Sequence, residues 1–254
     1  MASLNLGLGI SLTPGDGGAP ETDEQLIVRV ALAWWSARTI TTLWTDAART
    51  VPVASDGDDI YVVDDRTGHS NLVAASGTNI ADYKTNQVNG HPVIRLSPAG
   101  TSTKFTSTIA PGASSFYVMM LGKVHDTGGY PAVLCSGNGS GATYSALGGE
   151  GAKWKMRHST AMLYESGSNY VIGDIDYVEA YFNGASSSLY ITNTTTSGTA
   201  GTIAAITSLW VGVLFTNANY GEYDFTDMVI LPSTVSAADR ATIRTYLKTT
   251  IGGL

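Results

Sequence analysis

The chain has 254 residues, 43% of them apolar, enough to bury a sizeable core, and its one cysteine, Cys135, excludes an intrachain disulfide. Charged residues make up 14%, well under the usual level of about 25%, which speaks against long helices with charged outer faces and for many short strands joined by Gly, Ser, Thr and Asn turns. The net charge of −7 speaks against a general nucleic-acid binder. No apolar run approaches the roughly 18 residues of a membrane-spanning helix, so no membrane insertion is expected. The first Lys or Arg is Arg29, so a secretory n-region is missing and synthesis in a host cytoplasm is expected.

Residues 1–24 read as an arm and a linker, and residues 25–254 as one domain. Leu4, Leu6, Leu8, Ile10 and Leu12 alternate with small or polar residues, the period of a half-buried strand, before a Pro/Gly/Asp run. Residues 26–45 contain two strand-like runs rich in β-branched and aromatic residues, with Trp34, Trp35 and Trp44 expected in packing. Ile60-Tyr61-Val62-Val63 is a short apolar run between acidic turns. Residues 89–96 read as a turn and a strand. Residues 115–124 barely alternate and read as a fully buried strand. Lys153 to His158 predicts a strand with cations on one face and Trp154 and Met156 on the other. Residues 178–184 and 188–192 predict a hairpin around Asn183-Gly184. Residues 208–215 and 223–231 are further strands. Residues 236–251 predict a helix: Ser236 is an N-cap, Asp239 sits at N3, and Ile243, Tyr246, Leu247 and Thr250 share one face before Gly252-Gly253.

Several of these segments resemble one family in order and spacing. Trp35-Ser36-Ala37-Arg38, the run from Val62 to Asn71, Asn89-Gly90-His91-Pro92-Val93-Ile94-Arg95-Leu96, Tyr181-Phe182-Asn183-Gly184, Leu209-Trp210-Val211-Gly212, Asp224 to Leu231, and Ser236 to Arg240 with Tyr246-Leu247 are similar to motifs of concanavalin A-like (laminin G-like) domains found in bacterial and phage proteins. The likeness covers roughly residues 30–252. It implies an all-β fold: a two-sheet antiparallel jelly-roll sandwich with one C-terminal helix. Domains of this kind occur in tailed-bacteriophage structural proteins, as well as in lectins and glucanases.

Candidate chemistry is sparse. Glucanases of this fold carry Glu-x-Asp-x-x-Glu on one strand, and Asp174-Ile175-Asp176-Tyr177-Val178-Glu179 approaches that pattern. Five positions is an odd spacing, so a regular strand would turn Asp174 and Glu179 to opposite faces, with Glu179 towards solvent. No catalytic residue is therefore assigned. Tyr144, Asn217, Asn219, Tyr220 and Tyr223 have the aromatic and amide chemistry of a glycan site, and Lys153, Lys155 and Arg157 could meet an anionic polysaccharide. His69, His91, His125 and His158 lack zinc-ligand spacing. No cofactor is expected, though Asp56, Asp58, Asp59, Asp64 and Asp65 are oxygen ligands of the type calcium takes. The resulting expectation is a non-enzymatic component of a tailed-phage virion, a capsid decoration protein or a tail or fibre part. It would be anchored to other virion proteins by the arm, would form homo-oligomers and would meet host-surface glycans. The alternatives are a free bacterial lectin-like protein or a glycoside hydrolase.

Overall fold

The computed structural model describes residues 21–78, 80–97, 103–111, 115–125, 132–137, 144–150, 152–158, 162–198, 206, 208–213 and 222–254. The proposed arm residues Leu4, Leu6, Leu8, Ile10 and Leu12 lie outside them. In chain order come α1 (Asp23–Val30), β1 (Ala33–Ser36), β2 (Leu43–Trp44), β3 (Asp59–Ile60), β4 (Val62–Val63), β5 (Leu72–Ala74), β6 (Ala81–Val88) and β7 (His91–Leu96). Then follow β8 (Phe105–Ser107), β9 (Phe116–Val124), β10 (Ala132–Gly137), β11 (Tyr144–Glu150), β12 (Lys153–His158) and β13 (Met162–Asn169). The last are β14 (Ile175–Phe182), β15 (Ser187–Ile191), β16 (Thr194–Gly198), β17 (Leu209–Val211), β18 (Tyr223–Pro232) and α2 (Ala237–Thr245).

These strands form two antiparallel sheets, so the chain is an all-β two-sheet sandwich with a short C-terminal helix. The first sheet runs β16-β15-β14-β9-β18-β7-β6-β3, with β1 also paired to β18; the second runs β13-β12-β11-β10-β17-β8-β5-β4-β2. The short apolar run at Ile60–Val63 passes from one sheet to the other. Ile60 pairs with Ala81 in the first sheet, and two residues later Val62 pairs with Val73 in the second. The main core lies between the sheets and includes Trp35, Phe105, Trp154, Phe182, Tyr223 and Phe225. A second core lies on the outer face of the first sheet, where Trp34, Met119, Leu121, Tyr177 and Val229 pack under Leu26 and Ile27 of α1, Ile243 of α2 and Leu247 just beyond it. Covering on both faces explains why β9 and β18 are buried almost throughout, and why β9 reads as a nearly unbroken apolar run. A bulge at Thr226 in β18 brings the Asp224 carbonyl against Gly122, where an added Cβ would lie 1.9 Å from that oxygen.

Two sequence readings need correction. Residues 23–30 are helical, not a strand, and the helix starts inside the segment read as linker. Thr22 caps Gln25 N, and the Gln25 side chain returns to Thr22 N, a capping box; Asp23 and Glu24 lie at the positive end and Arg29 at the negative end. Eight residues are too few for a stable isolated helix, so burial of Leu26 and Ile27, worth about 1.5–3 kcal/mol each, holds it. The C-terminal segment is α-helical only to Thr245, and Tyr246–Ile251 continues as a π-helix. The Asn89-Gly90 turn has both residues at positive φ, 45° and 81°, as a two-residue hairpin turn requires, and Asn89 Nδ2 donates to the Ile251 carbonyl at that helix's end. The second hairpin forms where expected, but its turn is a 3₁₀ segment, Gly184–Ser186. Among the described residues no helix is long and apolar enough to cross a membrane.

Candidate functional site

The two helices cover only part of the first sheet's outer face. Beyond α2 the face is open, and a cavity of about 310 Å³ lies between that helix and strands β9, β14, β15 and β16. It is lined by Tyr117, Glu179, Tyr181, Ser188, Tyr190, Thr195, Arg240 and Arg244. Strand alternation explains the membership. Val178, Ala180 and Phe182 point into the main core, so Tyr177, Glu179 and Tyr181 face outward. Register then sets Tyr181 opposite Tyr117 and Ser188, and Glu179 opposite Tyr190, which in turn faces Thr195. Arg240 and Arg244, four apart on α2, share the helix face that overlooks this row.

The cleft is held by stacking and charge. Tyr117 and Tyr181 stack with ring centroids 4.1 Å apart, and the Arg240 guanidinium sits 4.6 Å over the Tyr117 ring. Arg244 lies 4.7 Å over Tyr190 and grips Glu179 with both arms of its fork, Nε to Oε2 at 2.8 Å and Nη2 to Oε1 at 2.9 Å. The Tyr177 hydroxyl adds a third bond to Oε2 at 3.0 Å. Burial, reinforced by the adjacent Glu179 charge, raises the Tyr177 phenol well above its ordinary value, so it stays a protonated donor. The Glu179 interaction raises the Arg244 guanidinium's pKa further, against the opposing effect of burial. Arg240 donates from Nη1 to the Tyr117 hydroxyl; its Nε lies 3.5 Å from Glu179 and, among the described residues, has no hydrogen-bond acceptor. One helical turn on, Lys248 Nζ donates to Asn193 Oδ1 at 2.7 Å and to the Tyr190 hydroxyl at 3.3 Å.

Among the described residues, those read from sequence as glycan or anion contacts are not in this lining. Tyr223 is fully buried, and its hydroxyl accepts from Gly149 N at 2.7 Å, so it is a core residue and cannot meet a glycan from a surface loop. Asn217, Asn219 and Tyr220 lie outside the described residues, as does the Tyr144 side chain. Lys153, Lys155 and Arg157 alternate with buried Trp154 and Met156, as expected. The ladder sets Lys153 opposite Glu150 and Lys155 opposite Glu165.

The glucanase-like triplet is dispersed. Asp174 sits in the turn before β14. Asp176 points inward, accepting from Trp154 Nε1 at 2.9 Å and Thr192 Oγ1 at 3.1 Å, and burial raises its carboxyl. Glu179 faces the other side of the sheet and is buried under α2, not solvated as the spacing argument supposed. Two carboxylates on opposite faces cannot flank one glycosidic bond.

The five acidic turn residues are used locally. Asp58 accepts from Ala54 N and Ser55 N, and Asp56 from Thr85 N. Asp59 pairs with Asp82 in the β3–β6 ladder. Asp64 accepts from Trp44 Nε1 at 2.7 Å and faces Arg49. Asp65 gathers the backbone N–H groups of Trp34, Thr67, His69 and Ser70 at 2.8–3.0 Å, while Asn71 accepts from Asp65 N. The Val62–Asn71 motif is thus a carboxylate-organised loop. Among the described residues no group of three or more His, Cys, Asp or Glu side chains could hold a metal ion.

No protein-family model matches the chain, and a search of curated proteins finds no match. Solved structures do resemble it. The chain is similar to the botulinum neurotoxin serotype D binding domain, at 12% identity and a TM-score of 0.56 over 88% of this chain and 52% of that one. It is similar to domain 4 of AbnA, a GH43 extracellular arabinanase from Geobacillus stearothermophilus in complex with arabinotriose, at 13% identity and 0.51 over 86% and 98%. It is similar to Trypanosoma rangeli sialidase at 14% identity and 0.51 over 86% of this chain, and it spans 32% of that enzyme's length. At these identities the likeness is one of fold: the two-sheet sandwich.

Proposed function

We propose that this protein is a non-enzymatic carbohydrate-binding sandwich whose ligand sits in the cleft beside α2. The cleft itself carries the reading. Three tyrosines line a concavity of about 310 Å³ with a few convergent polar groups, Ser188, Thr195 and two guanidiniums, the make-up and lower size range of small-ligand sites. Tyrosine supplies a flat apolar face and a polar tip, which suits a sugar ring with its own apolar faces and hydroxyl rim. The structural neighbours support it as well: one was solved with arabinotriose and another, a neurotoxin D ligand-binding domain, with N-acetylneuraminic acid. The position of Asp174 in the turn before β14, with Glu179 buried under α2, supports binding without turnover. A glycan array followed by calorimetry tests this. Tyr190→Ala should weaken saccharide binding by about tenfold, the loss of roughly 1.4 kcal/mol, while Tyr220→Ala, the loop alternative, should not. An array without any bound saccharide, or hydrolysis of one, would sink the proposal.

The family resemblance extends the reading to a tailed-phage virion component, made in the host cytoplasm, oligomeric, and attached through residues 1–24. The alternating Leu4, Leu6, Leu8, Ile10 and Leu12 support it, since such a segment gains its main-chain bonds from a partner's sheet edge. Absence of the protein from purified virions would refute the assignment. Full occupancy after deletion of residues 2–20 would refute the arm. In the first case the alternative is a free lectin-like protein; in the second, a virion protein attached by its sandwich domain.

A further inference from the structure

We infer that the cleft selects saccharides bearing an oxyanion, a carboxylate or sulfate, and that Arg240 is the residue that meets it; this rests on the carbohydrate reading above. The argument begins with charge. Two cations, Arg240 and Arg244, face one carboxylate, Glu179, which leaves one positive charge in excess on a chain whose net charge is −7, and Lys248 adds another beside the Tyr190 hydroxyl. Arginines four apart on one helix face ordinarily repel. Here Glu179 lies between them, but it does not serve both equally. Arg244 takes both carboxylate oxygens at 2.8 and 2.9 Å. Arg240 has only a 3.5 Å approach to Oε1, and among the described residues its buried Nε has no hydrogen-bond acceptor.

Arg240 is also held ready. Its guanidinium lies over the Tyr117 ring, which is stacked on Tyr181, and Nη1 is fixed by the Tyr117 hydroxyl. A planar fork fixed in this way loses little freedom on meeting a planar or tetrahedral oxyanion. The side chain is 27% exposed and lines the cavity, so a ligand can reach it. Ser188 and Thr195 also line the cavity and offer hydroxyls, and Tyr190 offers a ring.

The test uses the full chain and matched probes: an oligogalacturonide, its methyl ester, and neutral and sulfated galactan oligosaccharides, with affinities measured by calorimetry at low and high salt. The expected result is that the acid or the sulfated sugar binds, the ester and the neutral sugar bind about tenfold more weakly, and salt narrows the gap. Arg240→Gln should remove that preference, and Arg240→Lys should restore part of it, because the charge returns without the fork. Thermal unfolding of each variant establishes that it is folded. The relative strength of the carboxylated and sulfated arms identifies the oxyanion. If neutral sugars bind as well as acidic ones, or if folded Arg240→Gln keeps the preference, the inference fails while the carbohydrate reading stands. If no saccharide binds, both fall.

Discussion

Two carboxylates on the outer face of the first sheet have nearly the same company and different surroundings. Asp227 on β18 accepts from Arg38 Nε and from Trp34 Nε1, each at 2.8 Å, and Arg38 lies 5.5 Å over Tyr246. Glu179 on β14 accepts from Arg244 and Tyr177, and Arg244 lies over Tyr190. The difference is cover. Helix α1 and the start of the π-helix close over Asp227, and Glu24 of α1 completes the network through Arg38, Arg66 and the Tyr246 hydroxyl. Among the described residues no element closes over the Glu179 pair in the same way: Arg244 keeps 32% of its side-chain surface, against 13% for Arg38. A sealed pair fixes the fold; an open one of the same chemistry can also meet a ligand.

The comparison can be broken hardest at Asp227. Asp227→Ala leaves the Arg38 Nε and the Trp34 indole N–H buried without their acceptor, and chemical denaturation should register a loss of about 3–5 kcal/mol. The matching change in the open pair, Glu179→Gln, should cost less, about 1–3 kcal/mol, because water reaches Arg244 when the carboxylate is gone. Equal losses at the two sites would show that exposure does not separate them.

Acid sharpens the contrast. Burial would raise the Glu24 carboxyl, but hydrogen bonds from Arg66 and Tyr246 and the charges of Arg66 and Arg38 outweigh it and lower it from 4.5 to about 2. A carboxyl depressed in the folded state stabilises it fully above its unfolded value and loses that contribution as pH falls towards the folded one. Stability from this network should therefore persist above pH 4.5 and disappear by about pH 2. Glu24 keeps 38% of its side-chain surface, so solvent screening reduces the amount to about 1 kcal/mol. Denaturation of Glu24→Gln beside the parent across this window isolates it; parallel curves would remove Glu24 as the cause.

The same division governs what was legible in the sequence. β9 and the Asn89-Gly90 turn could be read because their signals are local: a nearly unbroken apolar run, or two residues that tolerate positive φ. The C-terminal helix announced itself through Ser236, whose hydroxyl accepts from Asp239 N at 3.0 Å. Helix α1 was hidden by its β-branched run Ile27-Val28-Arg29-Val30, although the Thr22-x-x-Gln25 capping box was present one turn earlier. The cleft was not legible at all. Its residues come from four separate segments, near 117, 179–181, 188–195 and 240–244, and only the order β16-β15-β14-β9 with α2 laid across it brings them together. The one sequence clue was the pair of arginines at i and i+4, a repulsive spacing that called for a carboxylate partner from elsewhere in the fold.

That clue yields the smallest expected effect and the cleanest use of the comparison. If Arg240 serves a ligand and Arg244 serves the fold, their removal should act on different measurements. Glu179 retains its bidentate bond from Arg244 in Arg240→Gln, and the lost guanidinium leaves no buried acceptor stranded, because its Nε had none and the Tyr117 hydroxyl can donate instead. The change in unfolding free energy should therefore stay within about 0.5 kcal/mol, as for ordinary surface substitutions. Arg244→Gln removes both bonds to a buried carboxylate and should cost about 1–3 kcal/mol. The two variants are compared by urea denaturation under identical conditions. A loss at Arg240 as large as that at Arg244 would mean that the two guanidiniums share the structural load of Glu179, and the open cleft would then be a second copy of the sealed pair at Asp227.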